Sequence, residues 1–115
     1  MKNDFFGMML HVRNVLNLKH LEPGTYNHHI ALEQAYNSIA NHLDVLIEGT
    51  TGLEGKQYIA IPQATPSAEL IEFVEKAYEF VKIGRKDFTE HWQLARLDGL
   101  EETLAILLYK LKYLA

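Results

Sequence analysis

The chain has 115 residues, of which 48% are apolar and 23% charged, a composition typical of one globular domain over residues 1–115 that excludes an intrinsically disordered protein. Eleven Lys and Arg against fifteen Asp and Glu give a net charge of −4, so we expect no nucleic-acid binding, which needs clustered positive charge. The lack of cysteine excludes disulfides and thiolate metal sites. The apolar runs are too short for a membrane span, and the N-terminus lacks the apolar region of a signal peptide, so we expect a soluble cytoplasmic protein.

Apolar residues recur at helical spacing in the first half of the chain and predict two helices. The first covers about residues 4–19 and ends before the turn sequence Glu22-Pro23-Gly24-Thr25. The second covers about residues 27–48, and we expect it to end at Gly49, because glycine is common just past a helix C-terminus. Residues 50–64 contain Gly52, Gly55 and Pro62 and predict a long connection.

Two further helices are predicted in the second half. Thr65 and Pro66 predict the N-cap and first position of the third helix, whose apolar periodicity continues to about Leu97. Asp98 with Glu101 three residues later is the acidic form of a capping box and predicts a last helix over about residues 99–114. The sequence therefore predicts an all-α fold of four helices, with one long connection between the second and third.

The residues most informative about function lie on the second predicted helix. At about 100° per residue, Glu33, Asp44 and Glu48 fall within roughly 100° of His29, on a face that borders the apolar stripe. His29 and Glu33 are four residues apart, as are Asp44 and Glu48, a spacing at which two side chains can hold one cation. Mixed imidazole and carboxylate ligands suit Fe, Mn or Zn.

One cation cannot contact both pairs, because the eleven residues from Glu33 to Asp44 correspond to roughly 16 Å of helix. We therefore expect a homodimer in which the second helices pack antiparallel, so that each pair faces the other pair of a second copy. His20 ends the first helix just before the turn and is expected to approach His29. The predicted metal ligands are His20, His29 and Glu33 of one chain with Asp44 and Glu48 of its partner.

The spacing His29-x3-Glu33-x10-Asp44-x3-Glu48, preceded by His20, resembles the ferroxidase motif of the Dps-like ferritins, the mini-ferritins that protect DNA from iron and peroxide. The resemblance implies a ferritin-like four-helix bundle and carries over the same five residues as catalytic iron ligands at a dimer interface. It also implies oxidation of Fe(II) by peroxide or dioxygen, with Glu33 and Glu48 as shared ligands. The implied assembly is a homodimer at least, with a dodecameric cage as the larger form.

The sequence departs from the family pattern at several points. The gap between His20 and His29 is shorter, Leu21 replaces the tryptophan that often follows the first histidine, and no Lys-rich N-terminal arm is present. Two alternatives therefore stay open. One is a ferritin-like helical structural or interaction protein, of viral origin for example, without turnover. The other is a protein that binds Zn(II) or Mn(II) without oxidising it.

Overall fold

Four helices account for most of residues 2–64 and 69–114, the parts of the chain that the computed structural model describes. The all-α prediction is confirmed, and so is the long connection between the second and third helices, which covers residues 55–69. Within the described residues, no helix is both long enough and apolar enough to cross a membrane. The helices are α1 (Lys2–His20), α2 (Tyr26–Glu54), α3 (Leu70–Gly84) and α4 (His91–Tyr113).

The helices pack as a bundle in which α1 lies on α2, α2 on α4, and α4 on α3. The connection after α2 runs along α1. The Ala60 carbonyl lies so close to Gly7 that a Cβ there has no room, and the Pro62 carbonyl accepts a hydrogen bond from His11 Nδ1 at 3.2 Å. Because the connection passes from the start of α1 towards its end, α2 and α3 run in the same direction, and the topology contains one long crossover.

The core consists of apolar side chains from all four helices, which explains why the apolar periodicity of the sequence predicted them. On α2 the buried stripe contains Leu32, Ile39, Leu43 and Leu46. These residues fix the rotation of α2 about its axis. The face that carries the predicted metal ligands therefore lies beside the core and turns towards the surface.

The predicted end of the second helix at Gly49 is wrong, because α2 continues to Glu54. Gly49 lies against the indole ring of Trp92, and a Cβ at this position would collide with the ring. The glycine that ends the helix is Gly55, which has a positive φ of 93° and donates its N–H to the Thr51 carbonyl at 2.9 Å. Gly49 therefore serves helix packing, while Gly55 serves helix termination.

The predicted boundary between the third and fourth helices is also wrong. α3 ends at Gly84 and α4 begins at His91, so Asp98 lies inside α4 and caps nothing. The capping box is formed by Glu90 and Gln93, with the Glu90 N–H donating to Gln93 Oε1 at 3.2 Å. Two capping patterns thus occur close together in the sequence, and the apolar periodicity runs across both of them.

The link between α3 and α4 begins with a single 3-10 turn, Arg85–Asp87, and continues through residues 88–90. The Arg85 guanidinium pairs with Asp98 and lies 3.3 Å from Glu101, so both residues of the expected capping box instead hold this turn against α4. These two carboxylates raise the pKa of Arg85, the hydrogen bond to Asp98 contributing most. Thr65 and Pro66, the predicted start of the third helix, lie outside the described residues.

Candidate metal centre

His20, His29 and Glu33 come together where α1 ends and α2 begins. One ligand atom from each side chain lies within 4.8 Å of the other two. His20 is the last residue of α1, and His29 and Glu33 lie on successive turns of α2. This arrangement is a group of two imidazoles and one carboxylate that can hold a metal ion. The expectation that His20 approaches His29 is therefore confirmed.

The turn between α1 and α2 is fixed by local contacts. Thr25 is the N-cap of α2, and its Oγ1 accepts a hydrogen bond from the His28 N–H at 3.2 Å. Lys19 forms an ion pair with Glu22 at 3.3 Å across the start of the turn. Pro23 and Gly24, which do not favour helix continuation, separate the two helices. Together these contacts set the distance between the histidines.

The orientation of the His29 ring is set by the main chain of α1. Its Nδ1 lies 3.1 Å from the His20 carbonyl oxygen. A carbonyl only accepts hydrogen bonds, so Nδ1 carries the proton and donates it. The second nitrogen, Nε2, is then left with the lone pair that a metal requires. This hydrogen bond selects the tautomer that suits a metal ligand.

The His20 ring is stacked between two other rings. Its centroid lies 4.1 Å from that of His29, with 27° between the planes, and 5.4 Å from that of Tyr36. Both ring nitrogens of His20 are buried, and neither has a hydrogen-bond partner among the described residues. Leaving a buried polar atom unpaired costs about 1–3 kcal/mol. A metal ion bound to one of these nitrogens would offset part of that cost, so the residues fit a metal.

The acidic side chains of α2 have no Lys or Arg on the same helix to balance their charge. The helix contains no Lys or Arg, although it carries the carboxylates of Glu33, Asp44 and Glu48. Within the described residues, none of these three carboxylates forms an ion pair. Most other acidic residues of the chain do, as Glu54 does with Lys2 at 2.7 Å. This face of α2 therefore has negative charge that no ion pair within residues 2–64 and 69–114 neutralises.

Asp44 and Glu48 do not belong to the group of three. Both are exposed, on the same face of α2 as Glu33 but further along the helix. Among the described residues, the group within ligand distance contains only His20, His29 and Glu33. A single chain thus presents part of the predicted ligand set, and the contribution of Asp44 and Glu48 from a second copy stays a prediction.

Other aromatic and histidine residues define the surroundings of the centre. Tyr36, which the sequence places in the apolar stripe, stacks on His20; its position two turns after His29 is the signal that could have revealed this. His42 lies away from the centre, and its ring packs over Gly99. Burial lowers the pKa of His42, and the nearby Arg96 lowers it further.

Comparisons with protein-family models, with curated proteins and with solved structures find no match to this chain. The resemblance to Dps-like ferritins therefore depends on the spacing of the ligand motif and on the helix arrangement. The helix arrangement agrees with that resemblance in its four helices and its single long crossover. It differs in the long connection, where the family has a short helix and residues 55–64 form none.

Proposed function

We propose that this protein binds a divalent transition metal, with Fe(II) as the natural ion, at His20, His29 and Glu33. The observation that carries the proposal is the approach of these three side chains to within 4.8 Å of one another, on two helices joined by a short turn. The tautomer of His29 and the unpaired nitrogens of His20 add support, because both leave lone pairs free for a cation.

The chemistry of the ligands favours iron. Two histidines with one carboxylate are a set that proteins use for non-haem Fe(II), leaving positions open for further ligands and for an oxidant. Zn(II) also accepts imidazole and carboxylate ligands, and Mn(II) prefers oxygen ligands. Metal analysis and competition between the three ions therefore form part of the test.

We further propose that a second copy of the chain completes the centre. Antiparallel packing of two α2 helices about a two-fold axis near residues 38 and 39 sets Asp44 opposite Glu33, and Glu48 opposite His29. Ala40 lies next to this axis and is half-buried, and its small side chain permits close approach of the helices. Both ends of the interface would then carry an identical metal centre.

The proposed dimer depends on the metal. Without a cation, Glu33, Asp44 and Glu48 of two copies bring six carboxylates together with no Lys or Arg on either α2. Like charges at short distance oppose association. A divalent ion at each centre reverses this repulsion, so metal binding and dimer formation should strengthen each other.

The activity that we propose is ferroxidation, with Fe(II) as the substrate. Two Fe(II) ions each lose one electron, and hydrogen peroxide takes both electrons with two protons to give two water molecules. The carboxylates assist because anionic oxygen ligands stabilise Fe(III) more than Fe(II). Storage of the product would need a closed cage of twelve copies, which a mass measurement in solution distinguishes from a dimer.

The test combines anaerobic titration calorimetry with Fe(II), Mn(II) and Zn(II), light-scattering mass, and the rate of Fe(III) formation after peroxide is added. We expect His29→Gln to lower metal affinity about tenfold or more, since a metal ligand is lost. The matched control His91→Gln replaces an exposed histidine at the start of α4 and should leave affinity unchanged. Equal metal affinity in the wild type and His29→Gln would overturn the proposal.

A second candidate function, a helical interaction protein without turnover, is favoured by one surface. The C-terminal half of α4 exposes Ile106, Tyr109 and Tyr113, which are 47%, 55% and 74% exposed. They lie at spacings of three and four residues, on one side of the helix. Exposed aromatic residues in such a stripe are typical of protein contact surfaces. A protein that neither binds these metals nor oxidises Fe(II) would favour this second candidate, whereas metal binding without oxidation would favour a protein that only binds the metal.

A further inference from the structure

A cleft opens at the end of the bundle beside the candidate metal centre. It has a volume of about 480 Å³ and lies between the end of α1, the start of α2 and Leu70 at the start of α3. His20 and His29 form part of its wall. The same two imidazoles therefore face both the metal group and a space large enough for a small molecule.

The cleft contains ring nitrogens with no internal partner. His28 Nε2 is buried and unpaired among the described residues, as are both ring nitrogens of His20. Such groups are uncommon in native structures, where buried polar atoms usually have a hydrogen-bond partner. Their concentration in the wall of one cleft indicates a ligand that supplies the partners.

Metal binding decides what kind of partner His20 needs. An imidazole that gives the lone pair of one nitrogen to a metal carries its proton on the other nitrogen, which then acts only as a donor. No acceptor for that proton exists among the described residues. A ligand in the cleft that offers acceptor oxygens would supply the partner that this N–H lacks.

The charged groups in the wall of the cleft also favour a ligand that accepts hydrogen bonds. Lys19 contributes an ammonium group with three donors, and its ion pair with Glu22 at 3.3 Å uses one of them. Glu22 is the only carboxylate among the residues of the wall, and Lys19 neutralises it. The donors come from two helices, Lys19 and His20 from α1 and His28 from α2, and a phosphate group offers several acceptor oxygens to them.

We propose that the cleft binds a phosphate group, free or as a monoester, through Lys19, His28 and the second nitrogen of His20. The role of His20 rests on the metal site proposed above, whereas Lys19 and His28 act with or without the metal. Because the two sites share His20, each ligand should raise the affinity for the other, and by the same factor.

Titration calorimetry with inorganic phosphate and with glycerol phosphate tests the proposal, on the metal-free protein and on the protein loaded with Zn(II). We expect Lys19→Met and His28→Leu each to weaken phosphate binding about tenfold or more, since each removes a donor to an anion. Zn(II) affinity measured without phosphate should stay at the wild-type value in His28→Leu. Tighter binding of glycerol phosphate than of phosphate would identify a monoester as the preferred ligand.

Two control variants match these changes closely. Lys82→Met removes another lysine that pairs with a glutamate three residues away, and His91→Leu removes an exposed histidine at a helix start. Both should bind phosphate like the wild type. Metal binding without any phosphate binding, or wild-type phosphate affinity in both Lys19→Met and His28→Leu, would overturn this inference and leave the proposed function intact. If the wild type binds no Zn(II), the proposed function is overturned instead. Phosphate titration of the metal-free protein then still tests whether Lys19 and His28 bind phosphate.

Discussion

His29 donates the proton on Nδ1 to the main-chain carbonyl of His20 at 3.1 Å, and the two imidazole rings stack with their centroids 4.1 Å apart. His20 thus orients the His29 ring through its main-chain carbonyl and through its own imidazole ring. A hydrogen bond from a ligand histidine to a carbonyl is the usual way in which proteins fix the ligand tautomer. The helix end and the candidate metal centre therefore depend on the same contact.

The role of Glu48 can be tested with Glu48→Gln, which removes a charge and keeps the shape of the side chain. Glu48 is exposed, so we expect the free energy of unfolding of the metal-free protein to change by no more than about 0.5 kcal/mol. Anaerobic Fe(II) should raise the melting temperature of the wild type more than that of the variant, because a ligand that binds only the folded dimer stabilises it.

A matched control for this experiment is Glu79→Gln, which removes an exposed carboxylate from α3. Its metal-induced rise in melting temperature should equal that of the wild type. An equal rise in Glu48→Gln as well would mean that Glu48 binds no metal. The carboxylates beyond Glu33 would then belong to a solvated helix face.

The proposed dimer axis makes a prediction about Ala40. Ala40→Gln adds a longer side chain at two symmetry-related positions near the axis, so we expect the dissociation constant of the metal-loaded dimer to rise about tenfold or more. Ala95→Gln makes the same change at an exposed position of α4 and should leave the dimer unchanged. Light scattering over a range of concentrations measures both constants. A dimer that tolerates Ala40→Gln would place the interface elsewhere.

The lowered pKa of His42 predicts a pH dependence of stability. Burial and Arg96 disfavour its charged form in the folded protein, and Glu102 opposes them only in part. The unfolded state therefore binds a proton first as the pH falls below the usual histidine pKa of about 6.5. The stability contributed by neutral His42 is complete above that value and is lost as the pH falls towards the folded pKa.

Urea unfolding at about pH 7.5 and about pH 5.5, in the presence of a chelator, measures this effect. His42→Gln should lose less unfolding free energy between the two pH values than the wild type does. The other histidines are present in both proteins, so the difference isolates His42. Parallel losses in the two proteins would contradict the assignment.

The surroundings of two glycines of α2 predict opposite effects on stability when each is replaced by alanine. Gly49→Ala places a Cβ against the Trp92 ring and should destabilise the protein by about 1–3 kcal/mol. Gly52→Ala meets no atom within 4 Å and should stabilise it by about 0.4–1 kcal/mol, because alanine favours the helix. Chemical denaturation of both variants checks the pair. A stabilising Gly49→Ala would show that the Trp92 ring moves aside freely.

Much of the first half of the fold follows from local signals in the sequence. The apolar stripe of α2 fixed the face on which Glu33 lies, and the Pro23-Gly24 turn brought His20 next to His29. Both relationships depend on residues close together in the chain, for which helical periodicity and turn preferences are sufficient. The sequence therefore predicted the part of the site that is formed by residues close together in the chain.

The errors arose where a residue's role depends on a distant part of the chain. In the sequence, Gly49 is typical of a helix end, and only the structure shows that it packs against Trp92 of α4. Asp98 is likewise typical of a helix cap in the sequence, and only the structure shows its ion pair with Arg85. The sequence alone contains neither contact, and a glycine or an acidic residue is compatible with either role.

The three residues of the candidate centre all belong to the hairpin formed by α1 and α2, within residues 20–33. Their approach needs only the turn at residues 21–25 and the packing of these two helices. A chain synthesised from its N-terminus completes this hairpin before the crossover and the last two helices exist. The metal ion proposed above would therefore meet His20, His29 and Glu33 during synthesis and hold the first half of the bundle together while the second half is still being made.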